Sequence, residues 1–233
     1  MKFDVGPAGD LGLRLAFSQS PKPSLTYSLL ALQSAARRQF SDALIDSVVG
    51  YSTLTLFFHP LTLDRERAQR WLEDQAQAAC DSPDIPDTER KTVTLPVLYH
   101  PSVAQDLEWL AEKQNMGIDD IIELHSGKDY FAYATGFAPG FCYLGTVDER
   151  LATPRLVTPR ANVPPGSVAI ADKQTAVYPC SSPGGWRVIG TCPTRLFDLN
   201  SDPTALLCVG DTVKFEPISM ADFRAVRDTE AKQ

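Results

Sequence analysis

Apolar and polar residues alternate from Leu11 to Phe17 (LGLRLAF), which predicts a strand entered by a Gly9–Asp10 turn. Leu25, Leu29, Leu32, Ala36 and Phe40 then recur at helical spacing, and Ser24 is placed to cap that helix. Ala43–Val49 and Thr53–Phe58 read as two strands joined at Gly50–Ser52. Asp64 can cap a second helix running to about Cys80 with Ala68, Trp71, Leu72, Gln75 and Ala79 on one side. Two prolines make Asp81–Asp87 a loop, and Lys91–Tyr99 (KTVTLPVLY) is a strand whose Pro96 demands an edge or a bulge. The order strand, helix, strand, strand, helix, strand is the split βαβ pattern of a ferredoxin-like α+β domain over residues 1–97. His59, between an apolar run and Pro60, reads as a strand-end residue.

A second domain is expected over residues 98–233. Ser102–Gln105 has the form of a capping box, with Leu107, Leu110 and Ala111 following on one face. Ile118, Ile121, Ile122 and His125 mark a second short helix, and the two helices are read as a link between the halves. His125 sits where a cation would suit the last carbonyls of that helix, with a site role as the alternative. Asp129–Thr135 and Thr212–Glu216 are strands, and Ser219 caps a last helix. Many short strands with turns about every ten residues fit a closed barrel or a sandwich.

One stretch resists a simple periodic reading. Gly136–Gly190 holds seven of the eighteen prolines and seven of the fourteen glycines, so regular helix is excluded over most of it. Phe137, Phe141, Tyr143, Tyr178 and Trp186 interrupt the turns, which a disordered linker would lack. The net charge of −7 argues against nucleic acid as a partner. Yet Arg150–Arg195 carries six basic residues against one acidic, Asp172. A basic, loop-rich segment in an acidic chain suggests an anionic small ligand, or a surface that docks an acidic partner chain.

Arg155 and Arg160 repeat in TPR-LV-TPR, each fixed by a preceding proline, and arginine suits bidentate capture of carboxylate or phosphate. Gly184 and Gly185 offer backbone N–H groups, and Trp186 and Tyr178 are candidates to wall a pocket. The alternative is that the aromatics fill a barrel and the glycines turn its corners. Nucleotide loops of the Walker A and GxGxxG kinds and the GxSxG elbow are missing. The three histidines and five cysteines show no metal-ligand spacing, and no catalytic residue is named. The odd cysteine count, the absence of an apolar segment near the start and of any run approaching a membrane span lead to the expectation of a cytoplasmic protein with reduced thiols.

The blocks GFAPGFCYLG, LATPRLVTPRANVPPGSVAIA, QTAVYP and SPGGWRVIG resemble the family of bacterial 5-oxoprolinase B subunits. That family is also labelled allophanate hydrolase subunit 1, carboxyltransferase domain subdomain C/D, and the sporulation kinase inhibitor KipI. GDLGLRLAF, LPVLYH, IIELHS and VGDTVKFEPI extend the likeness along the chain. The resemblance implies a ferredoxin-like N-terminal domain and a cyclophilin-like β-barrel. It implies a complex with the C and A subunits of a 5-oxoprolinase that uses ATP, with Mg2+, to open 5-oxo-L-proline, a small carboxylate, to L-glutamate. Ligand or interface candidates within the resembling blocks and the helix before them are His125, Tyr143, Arg155, Arg160, Ser167, Gln174, Tyr178, Gly184, Gly185 and Trp186. The family's usual Gly-Arg-Thr is replaced by Gly190-Thr191-Cys192, two usual glycines by Asp172 and Ala176, and an acidic or small residue by His100. The competing readings are a kinase inhibitor and an accessory carboxyltransferase-type module of urea or amide metabolism.

Overall fold

Leu13, Leu15 and Phe17 point to one face of a strand and all three are buried, as their alternation requires. The computed structural model describes residues 2–62, 64–81 and 91–230, and the chain divides into two compact units, Met1–Glu89 and Arg90–Gln233. In the first unit β1 (Phe3–Pro7), β2 (Gly12–Phe17), α1 (Pro23–Phe40), β3 (Leu44–Val49), β4 (Thr53–Phe58) and α2 (Arg65–Asp81) follow one another. The sheet order is β1-β2-β4-β3, antiparallel throughout, with Leu15 opposite Leu54 and Leu13 opposite Leu56. Leu25, Leu29, Leu32 and Ala36 of α1 and Ala68, Leu72 and Ala76 of α2 are buried in the core. Asp64 accepts from the Arg67 N–H at 3.0 Å, as a cap should.

Three expectations for this half need correction. Ser24 is not the cap of α1: the cap position is Lys22, without a side-chain bond, and Pro23 starts the helix. The strand β1 was not foreseen, because Gly6 and Pro7 cut its alternation to a few residues. It takes the sheet edge beside β2, its Phe3 ring 5.9 Å from Phe17. The strand foreseen at Lys91–Tyr99 exists as β5 (Thr92–Val97) but pairs in parallel with a strand near the C-terminus. The division therefore falls after Glu89 and not after residue 97. The buried face of β5 (Val93, Leu95, Val97) shows that it needs a partner, and not which one. Of the loop expected over Asp81–Asp87, Asp81 is the last helical residue and the rest lies outside the described residues.

The second unit continues with α3 (Leu107–Gln114), α4 (Ile118–Ser126), β6 (Tyr130–Thr135), β7 (Cys142–Gly145) and β8 (Arg160–Val163). Next come β9 (Ser167–Ala171), β10 (Gln174–Val177), β11 (Ser182–Gly184), β12 (Arg187–Thr191), β13 (Thr212–Pro217) and α5 (Met220–Glu230). Seven strands form one sheet in the order β12-β9-β10-β7-β6-β13-β5. Leu98, just after β5, exchanges both backbone hydrogen bonds with Thr191 of β12, at 2.8 and 3.0 Å. That pair joins the two outer strands and turns the sheet into a nearly closed barrel, which answers the edge problem for both. The barrel interior holds Leu95, Val97, Tyr130, Leu144, Val168, Ile170, Ile189 and Phe215. Among the described residues no helix is long and apolar enough to cross a membrane.

The helices read as a link lie wholly in this unit, α3 against β12 and α4 against β13. No capping box forms at Ser102: its hydroxyl bonds His100 Nδ1 at 2.8 Å, and the residue before α3 is Asp106. Asp172, one of the two residues replacing glycine, turns β9 into β10 at φ 51°, a left-handed conformation that Asp tolerates better than most residues. All five cysteines are free thiols.

Barrel closure leaves no room at Gly190, where a Cβ would lie 2.7 Å from Val97 Cγ1 and 3.2 Å from the Tyr99 ring. Gly190→Ala is expected to cost about 1–3 kcal/mol by overpacking. Combining it with Val97→Ala, which vacates that space, should cost less than the sum of the two single changes. Urea unfolding of the four proteins of this cycle checks the coupling; strict additivity would show that the seam is not tightly packed.

Candidate functional site

The Gly/Pro-rich stretch folds onto itself around one aromatic ring. Phe141, just before β7, has Tyr143 at 4.9 Å, Phe137 at 5.2 Å, Tyr178 at 5.4 Å and Trp186 at 5.8 Å between ring centroids, each steeply inclined to it. Such edge-to-face contacts each add about 0.5–1.5 kcal/mol beyond area burial. These five rings, with Arg155, Gly184 and Gly185, line a cavity of about 100 Å3. Phe141, Tyr178 and Trp186 are buried, so the core role expected for Phe141 and Trp186 and the pocket role are filled by the same side chains.

Backbone pairing brings the separate motifs together. Gly184 lies opposite Arg160 where β11 pairs with β8, and the Leu156 N–H donates to Gly185 O at 2.7 Å. TPR-LV-TPR is thereby pinned to SPGGW. Gly184 must be glycine, since a Cβ there would collide with the Tyr178 hydroxyl. Burial pushes the Tyr178 phenol up; the Trp186 backbone N–H and the nearby Arg155 charge pull the other way.

The two arginines of the repeat have different fates. Arg155 is exposed, its guanidinium 5.7 Å from the Trp186 ring centroid, and no carboxylate among the described residues pairs with it. Arg160 is committed. Its Nη2 lies 2.9 Å from Asp106 Oδ2, and its Nη1 donates to Trp186 O at 3.3 Å. Asp106 also pairs with Arg187 at 3.3 Å and accepts the Val188 N–H at 2.7 Å. Arg187 in turn lies 3.6 Å from the Trp109 ring centroid. Asp106 was not visible as a site residue in the sequence: its partners follow it by more than fifty positions, and nothing local separates it from Glu108, which is exposed.

Tyr143, Arg155, Tyr178, Gly184, Gly185 and Trp186 are thus brought together, with Arg160 behind them and Phe137 and Phe141 added. His125, Ser167 and Gln174 lie elsewhere. The Ser167 hydroxyl is buried and donates to Pro164 O at 2.7 Å, and Gln174 opens β10 at the other end from Tyr178. His125 is not the helix-end cation expected from its position. Its ring is fully buried, 4.6 Å from Phe215, with the Tyr99 hydroxyl 2.7 Å from Nδ1 and Thr175 Oγ1 2.8 Å from Nε2. Thr175 Oγ1 donates onward to Ala169 O at 3.2 Å, so Nε2 carries the proton and Nδ1 accepts from Tyr99. Burial lowers the imidazole to about 3. Cys142 and Cys192, pushed up to about 12 and about 11 by burial, are not thiolates at neutral pH. Among the described residues no group of His, Cys, Asp or Glu is arranged to hold a metal.

Two outcomes follow for stability. The unfolded chain protonates His125 below about 6.5, whereas the folded chain does so only near 3. Each pH unit of descent between those values costs up to about 1.4 kcal/mol, and His125→Gln should flatten that slope in urea unfolding followed against pH. Asp106→Ala strands two half-buried guanidinium groups and an amide, an expected loss of about 3–5 kcal/mol. Asp106→Asn keeps an acceptor for Val188 and should lose less by the same measurement.

The chain is similar to known proteins along nearly its whole length. Residues 3–207 match the family described as carboxyltransferase domain, subdomain C and D. The 5-oxoprolinase B subunit of Bacillus subtilis is 30% identical over 238 residues, covering 98% of this chain and 98% of that protein. That of Haemophilus influenzae is 38% identical over 202 residues, covering 84% and 90%. The crystal structure of TTHA0988 is 33% identical with a TM-score of 0.77; it covers 89% of this chain, which spans about two fifths (40%) of that longer one. Fold, motifs and relatives agree: this chain belongs to the carboxyltransferase domain, subdomain C and D family, alongside the 5-oxoprolinase B subunits.

Proposed function

We propose that this chain is the B subunit of an ATP-dependent 5-oxoprolinase, working with the A and C subunits to convert 5-oxo-L-proline to L-glutamate. The observation that carries the reading is the full-length likeness to proteins named as 5-oxoprolinase B subunits, which favours it over a kinase inhibitor or a carboxyltransferase accessory. In this reading the first unit is a ferredoxin-like arrangement whose outer strand comes from the N-terminus, and the barrel is cyclophilin-like. The protein works in the cytoplasm.

The chemistry makes partners necessary. A lactam is a poor electrophile, and phosphorylating its amide oxygen makes the carbonyl carbon a better one, so that water adds there and the ring C–N bond breaks with the nitrogen leaving as the amine. The aromatic cavity offers a cation and apolar walls, with no histidine, carboxylate or thiol among its lining residues to act as base or nucleophile. Nor does this cavity suit ATP. The cavity of about 100 Å3 is too small for a nucleotide. Of three larger hollows, one sets Asp120, Glu123 and Asp148 against Lys128 and Arg150, one sets Asp198, Asp202 and Glu230 against Lys91 and Arg195, and one has Glu108 and Glu112; acids outnumber cations in each, which disfavours a triphosphate. ATP and its Mg2+ therefore belong to another protein of the complex in this proposal, and this chain supplies binding and positioning.

Mixing this chain with the A and C subunits, ATP, Mg2+ and 5-oxo-L-proline should yield glutamate, and leaving out any one protein should abolish it. No glutamate from the complete mixture of folded proteins overturns the proposal.

A further inference from the structure

We propose that the aromatic cavity behind Arg155 is the site that recognises a small cyclic carboxylate, the ring held among the aromatics and the carboxylate by the Arg155 guanidinium. The inference rests on the function proposed above and assigns that substrate class to particular residues.

Size is the first argument. An engineered cavity of about 150 Å3 takes benzene. A cavity of about 100 Å3 is smaller than that, so it takes a five-membered ring only with the ring's outer edge projecting through the open rim, and it excludes larger bodies. Chemistry is the second. Phe141, Tyr143, Tyr178 and Trp186 present apolar walls, and the tyrosine hydroxyls offer polar points for a ring amide. Charge is the third. Arg160 and Arg187 share the single carboxylate of Asp106, whereas Arg155 stands at the rim with no carboxylate among the described residues to pair with it. Its preceding Pro154 limits the backbone entropy lost on binding. A single guanidinium over an aromatic face matches one carboxylate; a phosphate dianion would call for a second cation or a helix N-terminus, and the lining has neither.

The rim itself is built under strain. Phe137 is 59% exposed, yet its backbone is held at φ 75°, a left-handed conformation that a bulky side chain rarely adopts. Its ring centroid lies 5.2 Å from Phe141 and 6.1 Å from Tyr178, which puts it over the mouth of the cavity. Strain of this kind collects at ligand clamps. An exposed aromatic held in place against such strain fits a flap over a bound ring better than a filler of the core.

The test is titration calorimetry on the folded chain with 5-oxo-L-proline, with 2-pyrrolidone, which has the ring and no carboxylate, and with inorganic phosphate. It is paired with KM measurements in the three-protein mixture. Arg155→Gln should weaken 5-oxo-L-proline about tenfold or more, the worth of a charge-assisted hydrogen bond, and leave 2-pyrrolidone unchanged. In the complex the same variant should raise KM by a similar factor with a smaller effect on kcat, and Arg150→Gln, an exposed arginine away from the cavity, should do neither. Thermal unfolding confirms that each variant is folded. The inference is overturned if Arg155→Gln changes neither the affinity nor KM, or if phosphate binds at Arg155 and the cyclic acid does not. Binding of the cyclic acid through Arg155 in a complex that makes no glutamate would leave the site standing and overturn the function. Glutamate formation indifferent to Arg155 would do the reverse.

Discussion

A carboxylate removed from water must be paired or the fold loses several kcal/mol, and Asp106 meets that demand with three partners from two distant segments. Arg160 comes from the loop-rich stretch, and Arg187 and the Val188 amide come from β12. The Asp106 N–H also donates to Val188 O at 2.8 Å, so the start of α3 is laced to the barrel wall through both backbone and side chain. Arg160 then reaches from this hub to the carbonyl of Trp186. The position of the aromatic cavity is set from behind by an ion pair that never touches it.

The hub also sorts the cations. Charges clustered along a sequence look equivalent, but in the fold Arg160 and Arg187 are bound to one acid and Arg155 faces solvent beside the rings. The turn residues divide in the same way. Gly184 lets Tyr178 close the cavity floor, and Gly190 lets β12 approach β5, so the two glycines serve a pocket and a seam. His125 shows the opposite case: a titratable residue absorbed into the core by two hydroxyl partners, one from the segment after β5 and one from β10. It contributes a pH-dependent stability and no exposed proton.

Periodicity made most elements legible. The stripe of α1, the β3–β4 hairpin, the cap and face of α2 and the strands β2, β6 and β13 all follow from apolar spacing and turn residues. β1 was lost because three alternating residues before Gly6–Pro7 carry too little signal. Caps were misread where side chains had better partners: Ser102 bonds His100, and Lys22 with Pro23 begins α1 by backbone geometry alone. β5 was recognised as a strand and given to the wrong sheet. Its parallel partner β13 lies at the far end of the chain, and parallel pairs have no local turn to announce them.

By itself the sequence determined which segments become helix or strand, that Gly136–Gly190 is a run of short strands with ordered, aromatic-rich loops between them, and which family's motifs the chain carries. Those are local properties, written in spacing, turn chemistry and residue type. Only the tertiary structure decided that β5 belongs to the barrel, that Arg160 is bound to Asp106 while Arg155 has no carboxylate partner among the described residues, and that His125 is buried and neutral. Each of those outcomes depends on which residues distant in sequence come within about 3 Å of one another, because hydrogen bonds and close ion pairs weaken steeply beyond such distances.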